Sequence, residues 1–398
     1  MSKIDLQNWL LNNDGFQEKY RHVIINSVTN QFPALNRPSC NDTGKLHDWG
    51  YLLMCASLLA QSENGVCQEV SLRIAQFCLQ QDDMAITYKD AAAVILDTLA
   101  NQPTIKLAEN RNLIEKGFAD RLPFPLLQDW TRRSIENTVT LANSHDLAVN
   151  HFQRRFWKQT KTKGWISMSA PTSSGKSFIL GQWLADYLRS SPYATIVYLV
   201  PTRALIQQVQ QDIEYLLNSE NIESVSITTL PLHSSYKSGV ANVFVFTQER
   251  FHILIGERGA NLRVDLLVVD EAQKIGDNYR GVLLQQAIET TVHRNLHCRI
   301  VFASPMTENP GVLLDDVPDG VMSGDIVSED TMVNQNLLWV SQSNGRSMEW
   351  DVELILEENH ERIGQIKLPS RPSPDSKRLP FVAFTLGSRE GGNVIYVN

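Results

Sequence analysis

Apolar residues in the first 145 positions recur at helical spacing. Trp49, Leu52, Leu53, Leu58 and Leu59 form one stripe, and Val70, Ile74, Phe77 and Cys78 a second. Ala92, Ala93, Ile95, Leu96 and Leu99 form a third. Any packed helix needs such a face, so the stripes predict helix-packing core and not a cofactor site. The pattern breaks at Leu122-Pro123-Phe124-Pro125, and a second helical stretch is expected to lead to about residue 158. There the periodicity changes. Short β-rich runs are predicted over Gly164–Ala170, Thr195–Pro201, Ser224–Thr229, Val243–Thr247, Val264–Asp270 and Arg299–Ser304. Helical segments such as Ser177–Leu188 and Arg203–Leu217 lie between them. Strands alternating with helices imply an α/β fold, a parallel sheet covered on both faces. Past residue 330 the pattern becomes irregular, with a Pro/Ser-rich linker at Pro369–Pro374 and a final strand-like run at Asn393–Val397.

Composition narrows the class without naming a function. Of 398 residues, 42% are hydrophobic and 20% charged, which excludes a disordered or collagen-like chain. The net charge of -8 argues against a generally basic, histone-like binder, yet leaves room for nucleic acid in a locally basic groove. The five cysteines (Cys40, Cys55, Cys67, Cys78, Cys298) include no C-x-x-C pair, which speaks against a zinc ribbon or a disulfide framework. No apolar run approaches the ~18 residues of a membrane span, and Met1–Gly15 lacks a signal-peptide core. A soluble cytoplasmic protein is expected.

Candidate chemistry enters with Ala170, Pro171, Thr172, Ser173, Ser174, Gly175, Lys176 and Ser177, a loop between a predicted strand and a predicted helix. A tight loop there points backbone N–H groups inward, and the helix N-terminus adds the positive end of its dipole, which together cradle a polyphosphate. Lys176 would reach the β- and γ-phosphates, and the Ser177 hydroxyl would ligate magnesium. Further on, Leu266–Val269 reads as a buried strand delivering Asp270 and Glu271 at its end. Asp270 would hold magnesium, and Glu271 would orient the attacking water. The alternative is an acidic pair that merely starts a helix. Bound ATP or GTP with Mg2+ is the expectation from these residues.

With these motifs in place the chain resembles helicase superfamily 2, which contains the DEAD-box and DEAH-box ATPases. Ala170–Ser177 looks like the family's first motif and Val200-Pro-Thr-Arg-Ala-Leu205 like the next. Phe246-Thr-Gln-Glu-Arg-Phe251 resembles the T-P-E-R segment, with Gln248 in place of Pro. Asp270-Glu-Ala-Gln273 resembles the DEAD/DEAH box, and Phe302–Pro310 the S-A-T motif, with Pro305 and Met306 replacing Ala and Thr. Arg280-Gly281, taken with P-T-S-S-G-K-S, is similar to the superkiller-type (Lhr-like) branch. The resemblance implies a RecA-like lobe over about residues 146–330 that binds ATP and Mg2+. It also implies single-stranded DNA or RNA contacted through its backbone by Pro201, Thr202, Arg203 and Thr247, and coupling through Gln273 and Ser304. Gln153 stands where such proteins place an adenine-reading glutamine; a solvated glutamine beside Arg154 and Arg155 is the other reading. Arg203, likewise, is either a phosphate contact or a surface residue at a helix start.

The resemblance implies three regions: a helical domain over 1–145, the lobe over 146–330, and a linker with the start of a second lobe over 331–398. Gly391–Val397 resembles the opening strand of that second lobe, which implies a truncated second lobe and a piece of a longer protein. The implied activity is ATP-dependent movement on, or unwinding of, DNA or RNA. The alternative is a motor or ATP-switch subunit of a restriction or antiphage defence complex, with a partner nuclease or effector. The helical front end before the motor looks like bacterial defence helicases of the Hachiman kind.

Overall fold

The computed structural model describes residues 3–36, 48–258, 262–307, 309–330, 332–344, 348–356, 359–370 and 378–387. In chain order the first helices are α1 (Lys3–Leu11), α2 (Asp14–Gln31), α3 (Trp49–Leu59), α4 (Gly65–Leu79), α5 (Ile86–Thr98), α6 (Gln102–Asn110) and α7 (Phe124–Glu136). A hairpin of β1 (Thr138–Thr140) and β2 (Asp146–Ala148) follows, then α8 (His151–Thr160), β3 (Trp165–Ser169), α9 (Lys176–Ser190) and β4 (Thr195–Leu199). Next come α10 (Arg203–Ser219), β5 (Val225–Thr228), β6 (Ala241–Phe246), α11 (Gln248–Arg258), β7 (Leu266–Asp270) and α12 (Asn278–Arg294). The remainder is β8 (Arg299–Ser304), β9 (Ser323–Val327), β10 (Leu337–Gln342), β11 (Glu349–Leu356), β12 (Asn359–Lys367) and α13 (Arg378–Leu386). These elements form two units, Thr131–Met332 and a second made of Met1–Trp130 with Val333–Asn398.

The central unit is a seven-stranded sheet in the order β5-β6-β4-β7-β8-β3-β9. Every neighbouring pair is parallel. Side chains alternate between its faces, as a pleated strand requires. Ile166, Met168, Ile196, Tyr198, Val268 and Val301 share one core with α8, α9 and α10. Trp165, Val197, Leu199, Val269, Ile300 and Phe302 share the other with α11 and α12. Burial on both faces explains why these strands read as continuous apolar runs in the sequence. The architecture is the α/β, RecA-like arrangement expected above, and β8 keeps its predicted bounds.

Three features differ from the sequence expectation. The edge strand β9 was not predicted, because Ser323-Gly-Asp-Ile-Val327 carries little apolar signal. It is held by α8, whose Arg155 and Gln159 side chains donate to the carbonyls of Val327 (2.9 Å) and Asp325 (3.1 Å). Such cover blunts an open sheet edge. The hairpin β1–β2 also interrupts what was read as helix up to residue 158.

The third difference is the largest. Residues 337–367, read as an irregular linker, form an antiparallel sheet in the order β10-β11-β12. Trp350, Val352 and Leu354 of β11, with Ile363 and Ile366 of β12, pack on Val28, Phe32 and Leu35 at the end of α2. Asn36 and Gln365 exchange backbone hydrogen bonds of 2.8 and 3.0 Å, which ties the two ends of this unit together. The front residues are helical as expected, and the unit they belong to also takes in the sheet β10–β12: the α1–α6 core adjoins a second core that spans both chain segments. The run Gly391–Val397 and Cys40 lie outside the described residues.

Phe302 is 2% exposed and meets Trp165 edge-on at 5.9 Å between ring centroids. Phe302→Ala should destabilise the central unit by about 3–5 kcal/mol, as large-to-small changes in packed cores do. A urea unfolding transition of the central unit at the wild-type midpoint would contradict this packing.

Candidate nucleotide site

Strand β3 ends at Ser169, and the chain turns through Ala170–Ser174 into α9. Gly175 has φ +77° and precedes α9 directly; a Cβ there would lie 2.5 Å from Nε2 of Gln153. Only glycine meets both the left-handed backbone and the close approach.

The loop is tethered from behind by the start of α8. Asn150 and Gln153 form a capping box, with Gln153 N donating to Asn150 Oδ1 (2.8 Å) and Asn150 N to Gln153 Oε1 (3.0 Å). The spare donors turn to the loop. Asn150 Nδ2 donates to Ser174 O at 2.9 Å, and Gln153 Nε2 reaches Ser174 O and Gly175 O at 3.3 and 3.4 Å. Gln153 is 7% exposed; its Oε1 closes the helix cap and its Nε2 reaches the loop, so it is not a solvated side chain. A tether from below joins the same loop to the turn after β8: Thr307 N donates to Ser169 Oγ at 2.8 Å, and Ser169 Oγ donates to Pro305 O at 3.0 Å.

Lys176 stands at the first position of α9, and its Nζ donates to Ala170 O (2.5 Å) and Pro171 O (2.9 Å). Burial holds its ammonium below the ordinary lysine range, while the Asp270 and Glu271 carboxylates push the other way. Burial likewise pushes the Asp270 carboxyl up; the backbone N–H of Glu271 donates to its Oδ1 at 3.0 Å, and this bond and Lys176 oppose the rise. The two predicted motifs therefore act on one another electrostatically. Sheet order explains why: β7, β8 and β3 are neighbours, Asp270 is level with Ala303, and Ser304 is level with Ser169. Two strand spacings separate the carboxylate strand from the loop strand, or roughly 10 Å.

Glu271 has φ +54°, an uncommon conformation for a residue with a Cβ. Its Oε2 accepts from Gln273 Nε2 at 2.7 Å. Gln273 Oε1 and Ser304 Oγ are buried with no hydrogen-bond partner among the described residues. The Ser177 hydroxyl in the first turn of α9 and the Asp270 carboxylate supply hard oxygen donors, the kind a magnesium ion takes.

The expected nucleic-acid contacts divide. Thr202 and Arg203 are exposed at the N-terminus of α10, and Thr202 makes no side-chain cap hydrogen bond there. Pro201 is buried beside them. Thr247 is 2% exposed, and it helps hold the Glu249 carboxyl below the usual range, so its side chain is turned inward. Sequence reasoning missed Asn150, although N-x-x-Q ahead of a helix is a legible capping signal.

Asn150→Asp keeps the helix cap but removes the donor to Ser174 O, so it separates capping from loop support. Nucleotide affinity by calorimetry should fall about tenfold, because a carboxylate oxygen then faces Ser174 O where an amide donor stood. Wild-type affinity in that variant would remove Asn150 from the site.

The DEAD/DEAH box helicase family model matches residues 150–309, from the capping box to the turn after β8. The ATP-dependent DNA helicase Hel308 of Thermoplasma volcanium is 26% identical over 175 residues, which cover 44% of this chain and 26% of that protein. An activating signal cointegrator 1 complex subunit 3-like protein of Dictyostelium discoideum is 23% identical over 260 residues, or 60% of this chain and 11% of that one. The chain thus spans about a quarter or less of the length of these relatives. Among solved structures, the DUF1998 helicase MrfA bound to DNA is similar with a TM-score of 0.37 and 14% identity, over 46% of this chain and 28% of that one. Residues 150–309 are similar to a DEAD/DEAH box helicase domain, and the site built above lies within that segment.

Proposed function

We propose that the unit Thr131–Met332 is the ATP-binding lobe of a nucleic-acid-dependent motor of the helicase type. The observation that carries the reading is the strand order β7-β8-β3, which sets the Asp270 carboxylate and the loop leading to Lys176 at the same end of the sheet, where Asp270 and Glu271 act on the Lys176 ammonium. A triphosphate entering the loop meets the backbone donors at the start of α9, and Lys176 exchanges two carbonyl partners for phosphate oxygens. That exchange is favourable because a charge-assisted bond to phosphate is stronger than one to a neutral carbonyl. Ser177 and Asp270 would hold magnesium, which neutralises charge on the β- and γ-phosphates. Gln273 engages one oxygen of Glu271 and leaves the other to accept a proton of the attacking water. Thr202 and Arg203, beside the free N–H groups of α10, suit the phosphates of a single strand and read its shape without its sequence.

Two substitutions test the reading. Lys176→Ala should weaken ATP binding in calorimetry by at least tenfold, since it removes the charge that faces the phosphates. Unchanged affinity in a folded variant would refute the nucleotide site. Glu271→Gln should keep ATP binding and lose about a hundredfold or more in turnover, because an amide cannot take the proton of water. Hydrolysis at the wild-type rate, measured with and without single-stranded DNA or RNA, would make Glu271 a structural residue.

A further inference from the structure

Arg280, two residues into α12, occupies a junction that the mechanism above does not use. Its Nε donates to Glu249 Oε1 at 2.8 Å, and its Nη2 donates to Pro201 O at 2.8 Å. With its amide oxygen turned to the guanidinium, Gln248 accepts from the same two nitrogens at 2.9 and 3.0 Å. One side chain thereby bonds two separate segments: the turn after β4 that presents Thr202 and Arg203, and the start of α11 after β6. Burial pushes the Glu249 carboxyl up, but Arg280 and Thr247 outweigh burial and hold it below the usual carboxylate range.

The geometry is specific to a guanidinium. Its planar fork reaches a carboxylate and a carbonyl on different segments at once, whereas an ammonium is a point charge on a flexible stem. Position along α12 is also fixed. A Cβ on Gly281 would lie 2.2 Å from Ile275 O, so the first turn of α12 presses on the turn that follows Asp270 and Glu271. Strand order completes the picture, since β6, β4 and β7 are adjacent and all deliver their ends to the same edge.

We infer that Arg280 is a positioning residue that clamps the Pro201–Arg203 turn to the Thr247–Glu249 segment, so that both hold one fixed track for a nucleic-acid strand. The inference rests on the functional reading above and adds the residue that sets the track. It makes a prediction of sign. Were Arg280 a direct phosphate contact, removing Glu249 would free its charge and tighten binding to a polyanion. As a clamp, removing either partner loosens the same joint.

The test uses the full chain, a fluorescently labelled single-stranded oligonucleotide (oligo-dT and oligo-U) for anisotropy, and calorimetry with ATP. Arg280→Lys and Glu249→Ala should each weaken oligonucleotide affinity by about tenfold, the order of one charge-assisted bond. The double variant should be no weaker than either single one, and ATP affinity should stay within about twofold of wild type. Amide hydrogen exchange at 202–205 and 248–251 should accelerate in Arg280→Lys without any oligonucleotide, which reads the clamp independently of binding. Wild-type oligonucleotide affinity in Arg280→Lys, tighter binding in Glu249→Ala, or unchanged exchange would each overturn the clamp. Arg203→Ala separates the two claims. If it weakens binding while Arg280→Lys does not, the clamp alone fails. If the wild-type chain binds neither oligonucleotide, the functional reading fails and the clamp's role in setting a track fails with it.

Discussion

Parallel pairing of β7, β8 and β3 is the constraint on which the candidate site depends. Their hydrogen bonds fix Asp270 level with Ala303 and Ser304 level with Ser169. Parallel strands buried on both faces cannot slip register without moving apolar side chains to the wrong side, so that level is strongly specified. A carboxylate strand and a phosphate-loop strand are thus held two spacings apart by main-chain geometry alone. The side chains at the edge then need only local adjustment. Low solvent access there strengthens each charge–charge interaction and raises the cost of leaving any charge unpaired. The cost of burial prevails in the displacements of Lys176 and Asp270: it lowers the one and raises the other, against the pull of their opposite charges.

How much was legible follows from the same burial. Strands β3, β4, β7 and β8 announced themselves as apolar runs because neither face meets water. Helices α9 and α10 showed one apolar face each, and the phosphate loop showed Gly-Lys-Ser at a strand–helix junction. Strand β9 was illegible for the converse reason: as an edge strand its Gly and Asp are tolerated, and its stability comes from Arg155 and Gln159 of another element. The sheet β10–β12 could have been read. Trp350, Val352, Leu354 and Leu356 alternate with polar residues over most of β11, the period of two that marks a half-buried strand. That its partner core lies at the end of α2 has no signal in a single sequence, because the contact joins segments over three hundred residues apart.

Functional side chains divide along a similar line. Residues whose chemistry is local, such as Lys176, Asp270 and Glu271, were named from spacing. For others the structure adds a partner that spacing does not show. Gln153 has the residue type expected of a base-reading group, yet its amide is spent on Asn150, Ser174 and Gly175. Thr247 has the hydroxyl expected of a phosphate contact, yet it serves Glu249 from inside. Residue type gives the capacity for a bond; only the fold gives the partner.

The tethers around the phosphate loop bear on how binding energy would be used there. The Asn150–Gln153 box holds the loop from behind, and Ser169, bonded to the turn at Pro305–Thr307, holds it from below. Both contacts leave the mouth of the loop untouched. The loop atoms that bond at the mouth itself are the carbonyls of Ala170 and Pro171, which accept from Lys176. On the function proposed above, an incoming triphosphate would exchange the partners of one ammonium and would not have to fold a loop. Ordering a free loop costs about 1–2 kcal/mol per residue in backbone entropy, which would come directly out of affinity. A loop already fixed by its neighbours would avoid that loss. The lower tether has a second consequence. It joins the base of the phosphate loop to the turn in which Pro305 and Met306 replace the residues expected there, so a displacement at either end is felt by the other through Ser169. Register fixes the distance between the two strands, and Ser169 fixes the turn upon it.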